Sequence, residues 1–175
     1  MRRLAAAAVF ASLAAWAGDA TIVSSKHDLS GTGTGPIHSL RETRVCIFCH
    51  VGHQKGAGDN RPELRAEYQP YQSSTLSSPV PASPTGASRI CLSCHDGTIA
   101  LGETVASGVI DVANTDPAGR LPEGQSNLGT DLRKTHPISF VPRPSRSVRP
   151  PDNSPVKLDR NGALQCTSCH DPHRE

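Results

Sequence analysis

Apolar residues are concentrated at the start of this 175-residue chain, and no regular apolar pattern of similar length follows. Residues 4–17 form one apolar run behind Arg2 and Arg3. Beyond that run, 15 glycines and 15 prolines repeatedly interrupt the alternation of apolar and polar positions. The pattern therefore predicts a chain that is mostly coil, with a few short helices and little or no sheet.

The first apolar run has the layout of a secretory signal peptide. Two basic residues precede it, and it ends in the small-residue pattern Ala15-Trp16-Ala17. We predict cleavage after Ala17, or alternatively after Ala20, which leaves residues 18–175 as a single domain. The run is short for a membrane span, so an uncleaved anchor is the lesser alternative. No later segment of the sequence is apolar enough to cross a membrane, and we expect an exported, periplasmic or extracellular protein.

Cleavage would leave few large side chains for a core. The single Met and the single Trp both lie within the predicted signal. The aromatic residues that remain are Phe48, Tyr68, Tyr71 and Phe140. Aromatic side chains supply much of the buried area in ordinary cores. A chain of this composition is therefore expected to be held together by something other than side-chain packing.

The cysteines indicate what that something is. All six belong to three copies of one pattern: Cys46-Ile-Phe-Cys49-His50, Cys91-Leu-Ser-Cys94-His95 and Cys166-Thr-Ser-Cys169-His170. C-x-x-C-H is the attachment motif of c-type haem, in which both thiols form thioethers and the histidine becomes the proximal iron ligand. Three disulfides, zinc sites or redox dithiols are the alternatives, but none of them requires a histidine after each second cysteine. We expect three covalent haems and a small haem-stapled fold, with a short helix over residues 98–106 and one helical turn around each of the first and third motifs. The Pro/Ser-rich residues 77–86 are expected to be extended.

The absence of methionine from the mature chain limits which residues can be the sixth iron ligand. Methionine, a common sixth ligand in cytochromes c, is absent after cleavage. The histidines outside the motifs are His27, His53, His136 and His173, with His38 as a less favoured candidate that has no supporting context. Bis-histidine iron is therefore expected, unless one position is open or taken by lysine. Each of these histidines has a solvated surface role as its alternative.

Two of these candidates stand three residues after a proximal histidine. His53 follows His50, and His173 follows His170. Three residue steps span at most about 10–11 Å, whereas ligands on opposite faces of one haem need Cα atoms about 12 Å apart. Each second histidine, if it is a ligand, would therefore serve a different haem and bring two haems close together.

Neighbouring residues support two further ligands and a set of counter-charges. Asp28 could accept a ring N–H of a ligating imidazole, and Phe140 could pack on a porphyrin face near His136.

A basic group is expected to pair with haem propionates: Arg133, Lys134, Arg143, Arg146, Arg149, Lys157 and Arg160. Loss of Arg2 and Arg3 takes the formal charge from +2 to zero, and the propionates then make the protein acidic. A nucleic-acid partner is therefore not expected.

Short segments around these residues resemble the multihaem c-type cytochromes of metal-reducing bacteria. They are Lys-His-Asp-Leu-Ser, Cys-Ile-Phe-Cys-His-Val-Gly-His, Cys-Leu-Ser-Cys-His-Asp-Gly-Thr-Ile-Ala, His-Pro-Ile-Ser-Phe and Cys-Thr-Ser-Cys-His-Asp-Pro-His, spread over residues 26–173. The resemblance implies electron transfer to redox partner proteins or extracellular acceptors. Some members of that family polymerise into filaments in which one subunit donates a histidine to a haem of the next.

Two function classes follow from the sequence. The first is an electron carrier or conduit that is not an enzyme, with every iron six-coordinate. The second is a small reductase with one open haem. Five spare histidines for three irons favour the carrier. His27, close to the predicted mature N-terminus, is left with two possible roles: a ligand donated to a neighbouring subunit, or a ligand within its own chain.

Overall fold

The computed structural model describes residues 21–23, 25–50, 64, 66–104, 107–145, 148–149, 151 and 154–174. In these residues the backbone is mostly coil, which confirms the expected fold class in its coarse form. No helix in this part of the chain is long and apolar enough to cross a membrane. The predicted signal peptide lies outside the described residues.

The regular elements are short and few in the described ranges. Helix α1 covers Ile47–His50, and helix α2 covers Ser88–His95. Strand β1 (Glu103–Thr104) pairs antiparallel with strand β2 (Gly108–Val109). Two 3-10 helices follow, over Leu132–Lys134 and Cys166–Ser168. All three C-x-x-C-H motifs therefore lie on a helical turn, as expected for the first and third motifs.

Helix α2 is the longest element and carries the centre of the small core. Its Leu92 is fully buried and packs with Tyr68, Leu132 and Ile138. The helix ends because Gly97, just beyond Asp96, adopts a positive φ of 68°. Its amide donates to the carbonyl of Cys94 at 3.1 Å, which closes the last turn.

The prediction of a short helix over residues 98–106 is wrong for the described residues 98–104, which contain no helix. The carboxylate of Asp96 accepts hydrogen bonds from the amide and the hydroxyl of Thr98, both at 2.8 Å. Such a side-chain contact offers the backbone an alternative to the helix. The chain then enters β1, and the amide of Ile110 donates to the carbonyl of Gly102 at 2.8 Å. A Cβ at Gly102 would lie 1.8 Å from the carbonyl oxygen of Ile110, so this close approach requires glycine.

Isolated bridges between loops replace a sheet as the long-range framework. Gln69 pairs with Asp131, Ala100 with Arg120 and Phe140 with Leu164. The last bridge has two good hydrogen bonds, from the amide of Leu164 to the carbonyl of Phe140 at 2.9 Å and from the amide of Ser139 to the carbonyl of Leu164 at 2.6 Å. This bridge places the segment before the third motif beside the segment after His136. The Pro/Ser-rich residues 77–86 contain no helix or strand, as expected.

Candidate functional site

The three motifs share one local geometry. In the first, the amide of His50 donates to the carbonyl of Cys46 at 3.0 Å, and in the third, the amide of His170 donates to that of Cys166, also at 3.0 Å. The second motif lies within α2. Residues at i, i+3 and i+4 of a helical turn share one face. Each turn therefore presents its two thiols and its histidine to the same side.

The second motif has a well-defined hydrogen-bonded support. The ring Nδ1 of His95 lies 2.7 Å from the carbonyl oxygen of Ser126, so Nδ1 carries the proton and Nε2 is left as the ligand atom. The amide of Leu128 donates to the carbonyl of His95 at 2.7 Å. On the other side, the buried Asp96 accepts a short hydrogen bond from the hydroxyl of Tyr68. Burial and this bond raise the pKa of the Tyr68 hydroxyl, which stays protonated as a donor.

His27 lies beside His95, the histidine of the second motif, in the same chain. The ring centres of His27 and His95 are 6.0 Å apart, with their planes inclined at 58°. The turn that carries His27 is fixed by Asp28, which is fully buried. Its carboxylate accepts from the amide of Ser30 at 3.0 Å and from the hydroxyl of Thr32 at 2.9 Å. Asp28 therefore shapes the loop that presents His27.

A second pair joins the first and third motifs. The ring centres of His50 and His173 are 6.1 Å apart, and their planes differ by 19°. His173 is presented by a turn in which its amide donates to the carboxylate of Asp171 at 3.1 Å. Its Nδ1 lies 3.5 Å from the same carboxylate oxygen, which leaves Nε2 as the available ligand atom. His173, which follows the third motif in the sequence, therefore lies beside the first motif.

Both separations fit one metal ion bound between two imidazoles. With metal–nitrogen bonds of about 2.0 Å, two trans imidazoles place their ring centres about 6.3 Å apart. Ordinary ring contacts cover about 4.5–7 Å, so the distance alone does not distinguish the two cases. The composition of the pairs does favour ligation, because each joins one motif histidine with one histidine outside the motifs. The donor set therefore suits bis-histidine haem at two of the three motifs.

His136 lies in the electrostatic surroundings of the third motif. Its charge, like that of His170, helps to lower the pKa of the Cys166 thiol, after larger contributions from hydrogen bonds. The ring Nδ1 of His136 lies 3.3 Å from the carbonyl oxygen of Pro137. His136 also borders a mostly apolar recess together with Tyr68, Tyr71 and Ile138. His136 is therefore an expected distal ligand that lies near the third motif.

The second and third motifs are in direct contact. The thiols of Cys91 and Cys166 are hydrogen-bonded, which raises the pKa of Cys91 and lowers that of Cys166. The amide of Cys166 also donates to the hydroxyl of Ser88, at the start of α2, at 3.0 Å. Sequence separation hides this contact, because Ser88 and Cys166 are 78 positions apart along the chain.

Gln165, which sequence reasoning did not single out, anchors that contact. It is 1% exposed, and its carbonyl oxygen accepts from the hydroxyls of Ser88 at 2.7 Å and Ser139 at 3.1 Å. Its amide nitrogen donates to Asp159 at 2.9 Å. The only local signal is a polar residue directly before a motif, which does not reveal burial.

The six cysteines are all described, and all are free thiols. Burial raises the pKa of Cys49 and takes that of Cys94 to about 12, so these thiols are neutral at physiological pH. Within the described ranges, no group of three or more His, Cys, Asp or Glu side chains is placed to hold a metal ion on its own.

The remaining predicted residues have separate positions. His53 and Arg146 lie outside the described residues. His38 is held by its own turn, with Nδ1 2.8 Å from the carbonyl oxygen of Gly35. Arg133 pairs with Asp131 at 2.7 Å, so its guanidinium already has a carboxylate partner. Lys157 instead borders an open groove of about 380 Å³ beside the third motif, together with His170 and His173.

Comparison with known proteins gives no relative: no protein-family model matches the chain, and neither does any curated protein.

Proposed function

We propose that this protein is an exported trihaem c-type cytochrome that carries electrons through bis-histidine haems. The observation that carries the proposal is the pairing of His95 with His27 and of His50 with His173 at 6.0 and 6.1 Å. In both cases the ring of a C-x-x-C-H histidine lies beside that of a second histidine, at a separation compatible with two ligands of one metal.

The chain's own residues would attach, orient and enclose the cofactor. Bound haem would supply a one-electron couple at its iron. The two thiols of each motif would attach the haem covalently, and the neighbouring histidine would bind its iron. The carbonyl of Ser126 orients His95, and the carboxylate of Asp171 orients His173. Such partners set ring orientation and ligand basicity.

Closed iron positions favour electron transfer over catalysis. A catalytic haem requires an open distal position for substrate, whereas the His27 and His173 rings would fill that position at two motifs. His136 is the corresponding candidate at the third. Low potentials are expected, because no methionine follows the predicted cleavage site.

A single chain is able to supply these ligands. His27 lies beside His95 of its own chain, and this favours the intrachain role over donation to a neighbouring subunit. We therefore propose a carrier that exchanges electrons with protein partners or extracellular acceptors and does not need self-assembly for complete ligation. Propionate pairing would fall to basic residues such as Lys157 at the groove.

The test is the haem content and spin state of the protein produced with a complete haem-attachment system. Intact mass should show three haems, and replacing both cysteines of any one motif by alanine should remove one. EPR and optical spectra should show low-spin bis-histidine iron with no methionine–iron band. Two or fewer haems in the wild type would contradict the stoichiometry. A substantial high-spin signal, or rapid CO binding, would favour the reductase.

Size completes the test. His27→Ala should leave the protein the same size as the wild type while one haem loses its sixth ligand. His38→Ala is the matched control and should change neither property. Dissociation of a wild-type oligomer by His27→Ala would instead show ligation between subunits.

A further inference from the structure

The C-terminal turn that carries the third motif ends beside the first motif. We propose that His173 is the distal ligand of the haem attached at Cys46 and Cys49, so that residues 170–173 bridge two haems. This inference rests on the proposed trihaem function and names the connection between its sites.

Two independent observations support the assignment. The ring of His173 lies beside that of His50, with ring centres 6.1 Å apart and planes inclined at 19°. In addition, His173 is excluded from the haem of its own motif, because three residue steps are shorter than the distance between ligands on opposite haem faces. The proximity of His173 to His50 identifies the haem of the first motif as its partner, and the short chain between His170 and His173 excludes the haem of the third motif.

The backbone holds the two histidines of the bridge in fixed positions. The amide of His170 is tied to the carbonyl of Cys166 at 3.0 Å, at the end of the 3-10 turn. The following turn is closed by the amide of Arg174, which donates to the carbonyl of Asp171 at 3.0 Å. The Asp171 carboxylate also binds the amide of His173. Asp171 is therefore a positioning residue for His173.

The bridge explains a feature of the sequence that haem attachment alone leaves unused. C-x-x-C-H requires no histidine three residues later, yet the third motif continues to His173. His170 would bind the third haem and His173 the first, so one short peptide would hold both haems. The oxidation state of one haem should then affect the potential of the other, since charges at short range interact strongly at low dielectric.

The experiment compares His173→Ala with His38→Ala in the holoprotein. In the His173 variant, one of three haems should become high-spin and bind CO, and added imidazole should restore the low-spin spectrum. The control should keep three low-spin haems. His173→Met provides a second variant that retains a sixth ligand, and one potential should rise while the other two change little.

Removal of single haems identifies the iron that is affected. Without the first haem, in a Cys46→Ala/Cys49→Ala background, His173→Ala should no longer produce a high-spin haem. Without the third haem, in a Cys166→Ala/Cys169→Ala background, it should still do so. The proposal is overturned if His173→Ala leaves all three haems low-spin, or if its high-spin signal persists without the first haem. In either case a wild type with three low-spin haems would leave the proposed function intact.

Discussion

The buried side chain of Gln165 connects the second and third motifs, and its replacement by alanine tests whether this connection stabilises the fold. Three of its hydrogen bonds lie between 2.7 and 3.1 Å, to Ser88, Ser139 and Asp159. Each such bond contributes about 1 kcal/mol net, so Gln165→Ala should lower the free energy of unfolding by about 3 kcal/mol. Most of this fall in the free energy of unfolding comes from the Ser88 hydroxyl. This hydroxyl is buried and would lose its acceptor in the variant, and hydration cannot replace the lost bond.

The assay is chemical denaturation of the holoprotein, followed by far-UV circular dichroism and by the haem absorption band. Gln125→Ala is the matched control, because Gln125 is exposed. A difference below about 0.5 kcal/mol between the two variants would refute the hydrogen-bond argument, since ordinary surface substitutions fall within that range. Ser88→Ala combined with Gln165→Ala should cost less than the sum of the single changes, because both remove the same bond.

The remaining predictions concern a close approach, acid stability and the folding of the chain without cofactor. Gly33→Ala would place a Cβ 1.9 Å from the backbone oxygen of Asp28 and should cost about 1–3 kcal/mol in thermal or chemical unfolding, whereas Gly31→Ala, with its nearest atom at 3.4 Å, should be tolerated. The pKa of Asp159 is lowered, first by the amide of Ala163, so its stabilisation is present above the unfolded value near 3.8 and is lost as the pH falls through the lower folded value. Asp159→Asn should therefore show a shallower loss of stability in acid titration than the wild type, and equal slopes would contradict this. Replacement of all six cysteines by alanine should leave a chain with little ordered structure by circular dichroism, and cooperative unfolding of that variant would contradict the expected dependence on haem.

Local features of the structure were predictable because short-range spacing determines them. A helical turn was predicted around the first and third motifs, and the structure has one at both sites, whereas the helix over the second motif was not predicted. The abundance of glycine and proline predicts coil. Residues 98–106 were mispredicted because one side chain, Asp96, captures the next turn through Thr98. The pattern of apolar and polar positions does not reveal that the Asp96 side chain competes with the helix, because this competition depends on a single polar contact.

Long-range features could not be predicted from the sequence. The short step from His170 to His173 predicts only that His173, if it is a haem ligand, serves a different haem from His170, and it does not identify His50 as the neighbouring ring. That contact depends on how the loops between the first and third motifs close, which leaves no periodic signal in the sequence. The role of Gln165 was hidden for the same reason, because Ser88 lies 77 residues away along the chain.

The positions of the buried apolar residues relate the small core to the motifs. Phe48 lies inside the first motif and Leu92 inside the second, and both are almost completely buried. Ala163, three residues before the third motif, is 6% exposed. Part of the buried apolar surface therefore lies within or next to the three motifs. We therefore expect substitutions at Phe48 or Leu92 to alter haem ligation as well as stability, whereas substitutions at the exposed Leu40 or Val109 should alter neither.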